Sequence, residues 1–382
     1  MIVTRIRLKN WRNFRNLDVP LYDINYLLGA NATGKSNFLD VFRFLRDICQ
    51  ESGGGFQDAI RNRGGLKMIR CLHARNPPEV EIYVELSDSK ESNVNWRYLL
   101  AFRSEKSGKH RPFVYKEEIW KNDEPLLQRP TADDIEDPSL LTQTHLEQIQ
   151  ANAAFRELVD FFGKVSYLHL VPQLLKFGEA IGGKHLQNDP FGQEFLERIA
   201  KTPNRTRKSR LDRISRVLEA VIPHFAELSF EKDEYGHPHL SARYEHHRPK
   251  AGWQREESFS DGTLRHIGLF WAILEKNVLL LLEEPEISLN EEIVSKIPGI
   301  LDRLLRSKKT RQQIILSTHS KAMLSNRDID CRGVIILEST ENGSEARSMN
   351  EQEKRCIESG LSIAEVMSSV TRPKKLEQLG LF

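Results

Sequence analysis

Residues 29–36, Gly29-Ala30-Asn31-Ala32-Thr33-Gly34-Lys35-Ser36, fit the pattern G-x-x-x-x-G-K-[ST]. These residue types at this spacing suit a polyphosphate. The glycines let backbone N–H groups curl around phosphate oxygens. Lys35 brings a mobile positive charge to the β- and γ-phosphates, and Ser36 offers a hydroxyl to Mg2+. A glycine-rich surface loop without a ligand is the competing reading, and a strand before the turn with a helix after it argues against that.

A second group lies far downstream. Val278 to Leu282 is a continuous apolar run that ends in Glu283-Glu284-Pro285-Glu286. Such a run suits a parallel strand buried on both faces, and open α/β sheets bind ligands at the carboxyl ends of their strands. Pro285 holds the residue before it extended and marks where the strand stops. Glu283 is placed to hold Mg2+ through water, and Glu284 to polarise an attacking water. Taken alone, an apolar strand followed by acids is also ordinary structure. Two more stretches are ambiguous by themselves. Phe259-Ser260-Asp261-Gly262-Thr263-Leu264-Arg265 precedes a helix, where serine is commonly an N-cap. Residues 314–320 form an apolar strand ending in His319 and Ser320, and a lone histidine there is more often structural than catalytic.

The elements that must position these groups follow from periodicity. Residues 2–8 and 24–28 read as strands, and a helix begins near Lys35 with Phe38, Val41, Phe42, Leu45 and Ile48 at helical spacing. Val80, Ile82, Val84 and Leu86 alternate with glutamates, and Val94, Trp96, Tyr98, Leu100 and Phe102 repeat the pattern. That predicts an antiparallel hairpin with one wet face. Residues 130–225 read as mostly helical around a short strand at Val165–Leu170. Strands near 227–232 and 239–244 precede a helix from about Gly262, after which strand and helix alternate. Alternation implies a largely parallel sheet covered on both faces, an α/β fold. No internal repeat, low-complexity tract or sustained heptad series is present.

The order of these features resembles the head domain of the RecF, SMC and OLD-family ATPases, an ABC-type P-loop group. The resemblance covers about 1–60 and 255–340, and is strongest to single-chain RecF-like AAA ATPases. It implies a P-loop NTPase with a mixed β-sheet core, an antiparallel β subdomain and a helical lobe inserted between the P-loop and the signature motif. Residues 1–125 and 226–349 would be the two halves of the head, 126–225 the lobe, and 350–382 a helical tail. ATP and Mg2+ are the implied ligands. Gly29, Asn31, Ala32, Thr33, Gly34, Lys35, Ser36 and Asn37 would surround the nucleotide, with Ser36 and Glu283 at the metal. Ser260 and Gly262 would close over the γ-phosphate bound by a second copy. Glu284 would be the catalytic base, His319 the γ-phosphate sensor, and Lys35 the charge that steadies the transferred phosphoryl group. Ser288-Leu289-Asn290 would cross the dimer seam. Asn10-Trp11-Arg12-Asn13-Phe14 matches a family turn in which Arg12 and Asn13 touch nucleotide; a simple β-turn is the equal alternative. Glu283 stands where many relatives carry Asp. The family's magnesium-sensing glutamine is matched by either Gln57 or Gln173.

Composition sets outer limits. The chain has 382 residues, 39% hydrophobic and 29% charged, enough for a sizeable core, and a net charge of +2 that argues against a polycation. Four scattered cysteines, Cys49, Cys71, Cys331 and Cys356, form no zinc pattern and suit a reducing cytosol. The start, MIVTRIRLKNW, alternates like a strand and does not read as a secretory signal; the longest apolar run is too short to cross a bilayer. A cytoplasmic location without membrane contact is expected. The absence of heptads predicts a compact lobe in place of a coiled coil. Residues 320–382 are too few for the Toprim nuclease domain of OLD-family proteins, so any nuclease is expected on a separate polypeptide. Lys201, Arg205, Arg207, Lys208, Arg210, Arg213 and Arg216 form one basic group, and Arg303, Arg306, Lys308, Lys309 and Arg311 a second. Either suits DNA phosphates or is simply a solvated face.

These expectations combine into an ATP-hydrolysing homodimer switch, open to higher oligomers, acting in DNA repair or antiphage defence with a nuclease or toxin as effector. A low-turnover ATP-binding scaffold that restrains such a partner is the alternative. A small-molecule P-loop kinase is a weaker third, because a kinase has no use for a γ-phosphate sensor supplied by a second head.

Overall fold

A computed structural model of the protein describes residues 1–50, 53–74, 78–89, 92–105, 110–181, 189, 191–245, 252–275, 277–307 and 312–368. Strands β1 (Ile2–Trp11) and β2 (Phe14–Pro20) form a hairpin, and β3 (Ile24–Leu28) runs into the glycine-rich turn. An antiparallel meander follows, made of β4 (Val80–Ser87), β5 (Trp96–Ser104), β6 (Pro112–Lys121) and β7 (Glu124–Arg129). Strand β8 (Val165–Leu168) stands alone among helices. Strands β9 (Phe225–Lys232), β10 (Pro238–Tyr244) and β11 (Trp253–Arg255) make a small separate antiparallel sheet. Then come β12 (Leu279–Glu283), β13 (Gln313–Ser317) and a final hairpin, β14 (Val334–Thr340) with β15 (Gly343–Ser348).

The main sheet has 12 strands in the order β7-β6-β5-β4-β1-β2-β15-β14-β3-β13-β12-β8. Its β14-β3-β13-β12-β8 half is wholly parallel; the wing from β7 to β2 is wholly antiparallel. The two halves meet between β2 and β15, where the register is the single pair Ser344 and Phe14.

The apolar run explains itself once both faces are seen. Leu279 and Leu281 enter one core, while Leu280 and Leu282 enter the other. From Leu279 to Leu282 no alternate position meets solvent, so none of the four is polar; the strand turns polar only at its end, at Glu283. The first core lies beneath the helix Lys35–Ile48 and the wing, and Trp11, Phe44, Phe102 and Phe56 form a chain of ring contacts 5.3–5.5 Å apart there. The second lies beneath the helices Asn204–Val221, Asp261–Leu274 and Ile297–Ser307 and carries the small sheet.

The expected hairpin is present, with Val84 opposite Tyr98 and Ile82 opposite Leu100. The stretch 126–225 does not stand apart as one lobe. Strand β8 completes the parallel core beside β12, the helix Arg156–Gly163 packs in the first core, and Asn204–Val221 packs in the second. The physical reason is that pairing with β8 satisfies the backbone N–H and C=O groups along the outer edge of β12. The longest helix among the described residues, Asn204–Val221, has 18 residues, so no coiled-coil arm is present among them.

Candidate active site

Three adjacent parallel strands, β3, β13 and β12, deliver their carboxyl ends to one edge, and β8 ends beside them. Gly34 follows at φ 102°, a left-handed conformation that favours glycine. A Cβ there would lie 2.2 Å from Asn13 Nδ2, so the turn also needs glycine for space. The helix Lys35–Ile48 starts directly after it without a side-chain cap. Its first N–H groups have no partner within the helix and point at whatever occupies the loop.

Lys35 is buried, and its Nζ donates to the carbonyls of Gly29 at 3.1 Å and Ala30 at 3.2 Å. Burial draws its ammonium below the ordinary value, against the opposing charges of Glu284, Glu283 and Glu286. Asn31, Ala32 and Ser36 are exposed, whereas Thr33 and Gly34 are buried. Asn13 holds the loop from below: its Nδ2 donates to Thr33 O at 2.9 Å and to Ser344 Oγ at 2.6 Å, and its Oδ1 accepts from Asn37 at 2.9 Å. Arg12 turns away instead, donating to Asp40 at 2.9 Å and to Met68 O at 3.3 Å.

Across the loop, Glu283 accepts hydrogen bonds from the hydroxyls of Ser36 and Tyr167. Glu284 has φ 43°, and its N–H meets Ser317 O and Ser317 Oγ, each at 3.2 Å. A non-glycine residue held at positive φ costs energy and marks a constrained site. Its Oε1 lies 3.1 Å from His319 Nε2, without the alignment of a well-formed hydrogen bond. Burial first, and the charge of Lys35 next, lower the His319 pKa below 6.5, so the imidazole is neutral at pH 7. Glu286 accepts from Thr318 Oγ1 at 2.6 Å and from the His319 N–H at 2.9 Å, while its Oε2 is buried without a partner. Burial raises its carboxyl above the ordinary value. Three carboxyl groups therefore oppose the charge of one ammonium.

Ser260 sits apart from this cluster. It is the N-cap of the helix Asp261–Leu274, accepting from Thr263 N at 3.1 Å, and it is exposed. Among the described residues no hydrogen bond joins Ser260 or Gly262 to residues 29–36 of the same chain. A Cβ on Gly262 would lie 3.0 Å from Ser288 O, so the helix start and the segment 287–290 share one surface. Of the two glutamines, Gln57 is committed to the carbonyls of Pro112 at 2.9 Å and Thr142 at 2.7 Å, inside the wing. Gln173 follows β8 and donates to Asp261 at 2.9 Å, beside Lys176, which reaches the same carboxylate at 3.2 Å.

Sequence reading missed Tyr167, Glu286 and a cavity of about 280 Å³ beside Arg12, Asn13 and Asn37. Lys67, Met68, Arg70, Leu72 and His73 line its other side. Proximity of Glu286 in the E-E-P-E run was the one available signal. The basic group on Asn204–Val221 divides: Arg207 lies 4.0 Å over Phe230 and Arg210 5.0 Å over Trp271, while Lys201, Arg205, Lys208, Arg213 and Arg216 are exposed. In the second group Arg303 is exposed; Lys308, Lys309 and Arg311, and the side chain of Arg306, lie outside the described residues. Among the described residues no helix is long and apolar enough to cross a membrane, and no group of three or more His, Cys, Asp and Glu is gathered so as to hold a metal ion by itself.

A search of curated proteins returns no match. Among solved structures, an SMC head bound to the C-winged helix domain of ScpA is similar over 93% of this chain and 100% of its own, at 12% identity and a TM-score of 0.54. The SMC head domain from Thermotoga maritima covers 92% and 100% at 14% identity and 0.48. A Pyrococcus furiosus SMC head with an extended coiled coil, bound to the C-terminal domain of ScpA, covers 94% and 98% at 15% identity and 0.49. The first of these shows that the α/β fold is that of an SMC head. Residues 24–325 match the family described as "AAA domain, putative AbiEii toxin, Type IV TA system", and the chain belongs to that AAA family.

Proposed function

We propose that the protein is a Mg2+-dependent ATPase that clamps as a homodimer around two shared nucleotides. The supporting observation is the convergence of Lys35, Glu283, Glu284 and His319 at the ends of β3, β12 and β13. The cradle fits the ligand: Gly34 leaves no room for a side chain, Lys35 is a buried cation, and Ser36 already meets Glu283.

Ser36 and Glu283 would hold Mg2+, which when bound neutralises phosphate charge. Residues 29–37 wrap the phosphates, and Lys35 balances the charge that builds on the β–γ bridge. Glu284 takes a proton from the attacking water as the new bond to the γ-phosphorus forms and the bridging P–O bond breaks, leaving ADP and phosphate. Neutral His319 steadies the Glu284 carboxylate, and Glu286 fixes the backbone that carries His319. The cavity lined by Met68, Leu72 and His73 suits the adenosine end, with Arg12 as its wall. Exposed Ser260 and half-buried Gly262 complete the partner's site. Gln173, in the helix that follows β8, is the metal-sensing glutamine in preference to Gln57: it is exposed and bonded to Asp261 of the signature segment, whereas Gln57 is tied to two backbone carbonyls. The family description supports a toxin-linked setting, and the exposed basic face of Asn204–Val221 supports DNA as a partner; antiphage defence or repair in the cytoplasm, with a separate effector, joins both.

Glu284→Gln tests the reading. It should retain Mg·ATP, lower turnover by about a thousandfold and shift the protein to a dimer in light scattering. Unchanged turnover would exclude Glu284 as the base. A wild type that binds ATP yet never hydrolyses it would favour the scaffold.

A further inference from the structure

Glu283 has one methylene more than aspartate, so its carboxylate swings through a wider arc and needs a second anchor. Among the described residues it has two side-chain donors. Ser36 reaches Oε1, and Tyr167 reaches Oε2 from strand β8. Strand β8 runs parallel to β12 with Tyr167 in register with Leu281, and both residues belong to the core under the helix Lys35–Ile48. Tyr167 is itself clamped. Its ring is buried, and the guanidinium of Arg43 lies 4.2 Å over it. Arg43 in turn lies 4.0 Å from Asp40, which also holds Arg12 and Arg63. Burial raises the Tyr167 hydroxyl well above its ordinary value, so it remains a donor at any physiological pH.

We propose that Tyr167 is a positioning residue for the metal: it ties down one oxygen of Glu283 so that the other, with the Ser36 hydroxyl, forms a fixed pair facing Mg2+. This rests on the Mg·nucleotide reading above. Once Ser36 serves the ion, Tyr167 is the side-chain donor left to Glu283. Partners of this kind orient metal ligands, and losing one commonly weakens metal affinity 10- to 100-fold.

The test uses full-length protein, fluorescent mant-ADP and Mn2+ followed by electron paramagnetic resonance. Tyr167→Phe keeps the ring under Arg43 and removes the hydroxyl. It should raise the Mn2+ concentration for half-maximal binding by about tenfold and leave metal-free mant-ADP affinity unchanged. In a Glu283→Asp background the shorter arm has no hold on Tyr167, so the same substitution should change the midpoint by less than about twofold. An unmoved midpoint, an equal loss in both backgrounds, or a parallel fall in metal-free affinity would each overturn the proposal. A wild type that binds mant-ADP without any bound Mn2+ would overturn the metal-site reading beneath it as well.

Discussion

Two buried charge clusters in this protein are built on opposite principles. In the wing, Arg129 is fully enclosed and donates to Asp134, Glu117, Gln143 O and Leu140 O, while Glu117 also accepts from His145 N–H and Tyr98. Every charge there has its complement. At the strand ends, Lys35 faces three carboxyl groups, and Glu286 Oε2 and His319 Nε2 are buried without an aligned partner. A closed network holds a shape. An open one is held in place by its surroundings and waits for a ligand.

The contrast can be broken most severely in the wing. Arg129→Met strands Glu117 and Asp134, and urea unfolding should show a loss of about 3–5 kcal/mol; a loss below about 1 kcal/mol would mean the network does not bear on the fold. Lys35→Ala should behave oppositely. Nucleotide affinity falls by about 1.5–3 kcal/mol, read by calorimetry, while the melting temperature of the ligand-free protein holds or rises, because a desolvated cation is gone.

Acid should separate the clusters next. Asp134 is pulled from 3.8 down to about 2, chiefly by the Arg129 hydrogen bond working against burial. Its stabilising contribution is complete above about 3.8 and is lost as pH falls toward 2. His319 is held below 6.5, so its charging opposes the folded site as pH falls through and below that value. Turnover should therefore decline well before the Asp134 contribution does, and His319→Gln should flatten that decline. Coincident loss of both would merge the two clusters into one.

The smallest effect concerns the basic helix, where the same division recurs. Arg207 and Arg210 lie against rings, while Lys208 and Arg213 face outward. Replacing Lys208 and Arg213 with alanine should reduce the salt dependence of DNA binding by about two in the log–log slope and leave stability alone. No change in slope would remove this face from the DNA reading.

The open cluster was legible in the sequence because each of its parts is local. A phosphate loop, an acidic strand end and a strand-ending histidine each occupy a few consecutive residues, and their order along the chain joins them. Helix Lys35–Ile48 and the wing hairpin announced themselves by spacing. The closed cluster was invisible, since Glu117, Arg129 and Asp134 meet only after β6 and β7 pair and the chain turns. Tyr167 was invisible for a related reason: V-S-Y-L gives no sign that it will border β12. The stretch 126–225 reads as a separate lobe because helical periodicity carries no address, and the pairing of β8 with β12 joins residues more than a hundred positions apart.

The thin join between β2 and β15 has a mechanical consequence. Phe14 and Ser344 make its one ladder pair, and Asn13, next door, is bonded to both Ser344 and the phosphate loop. A sheet creased along one line folds there first. Asn13 lies on that crease, so a change in the angle between the two halves and a change in the loop's grip meet at this side chain.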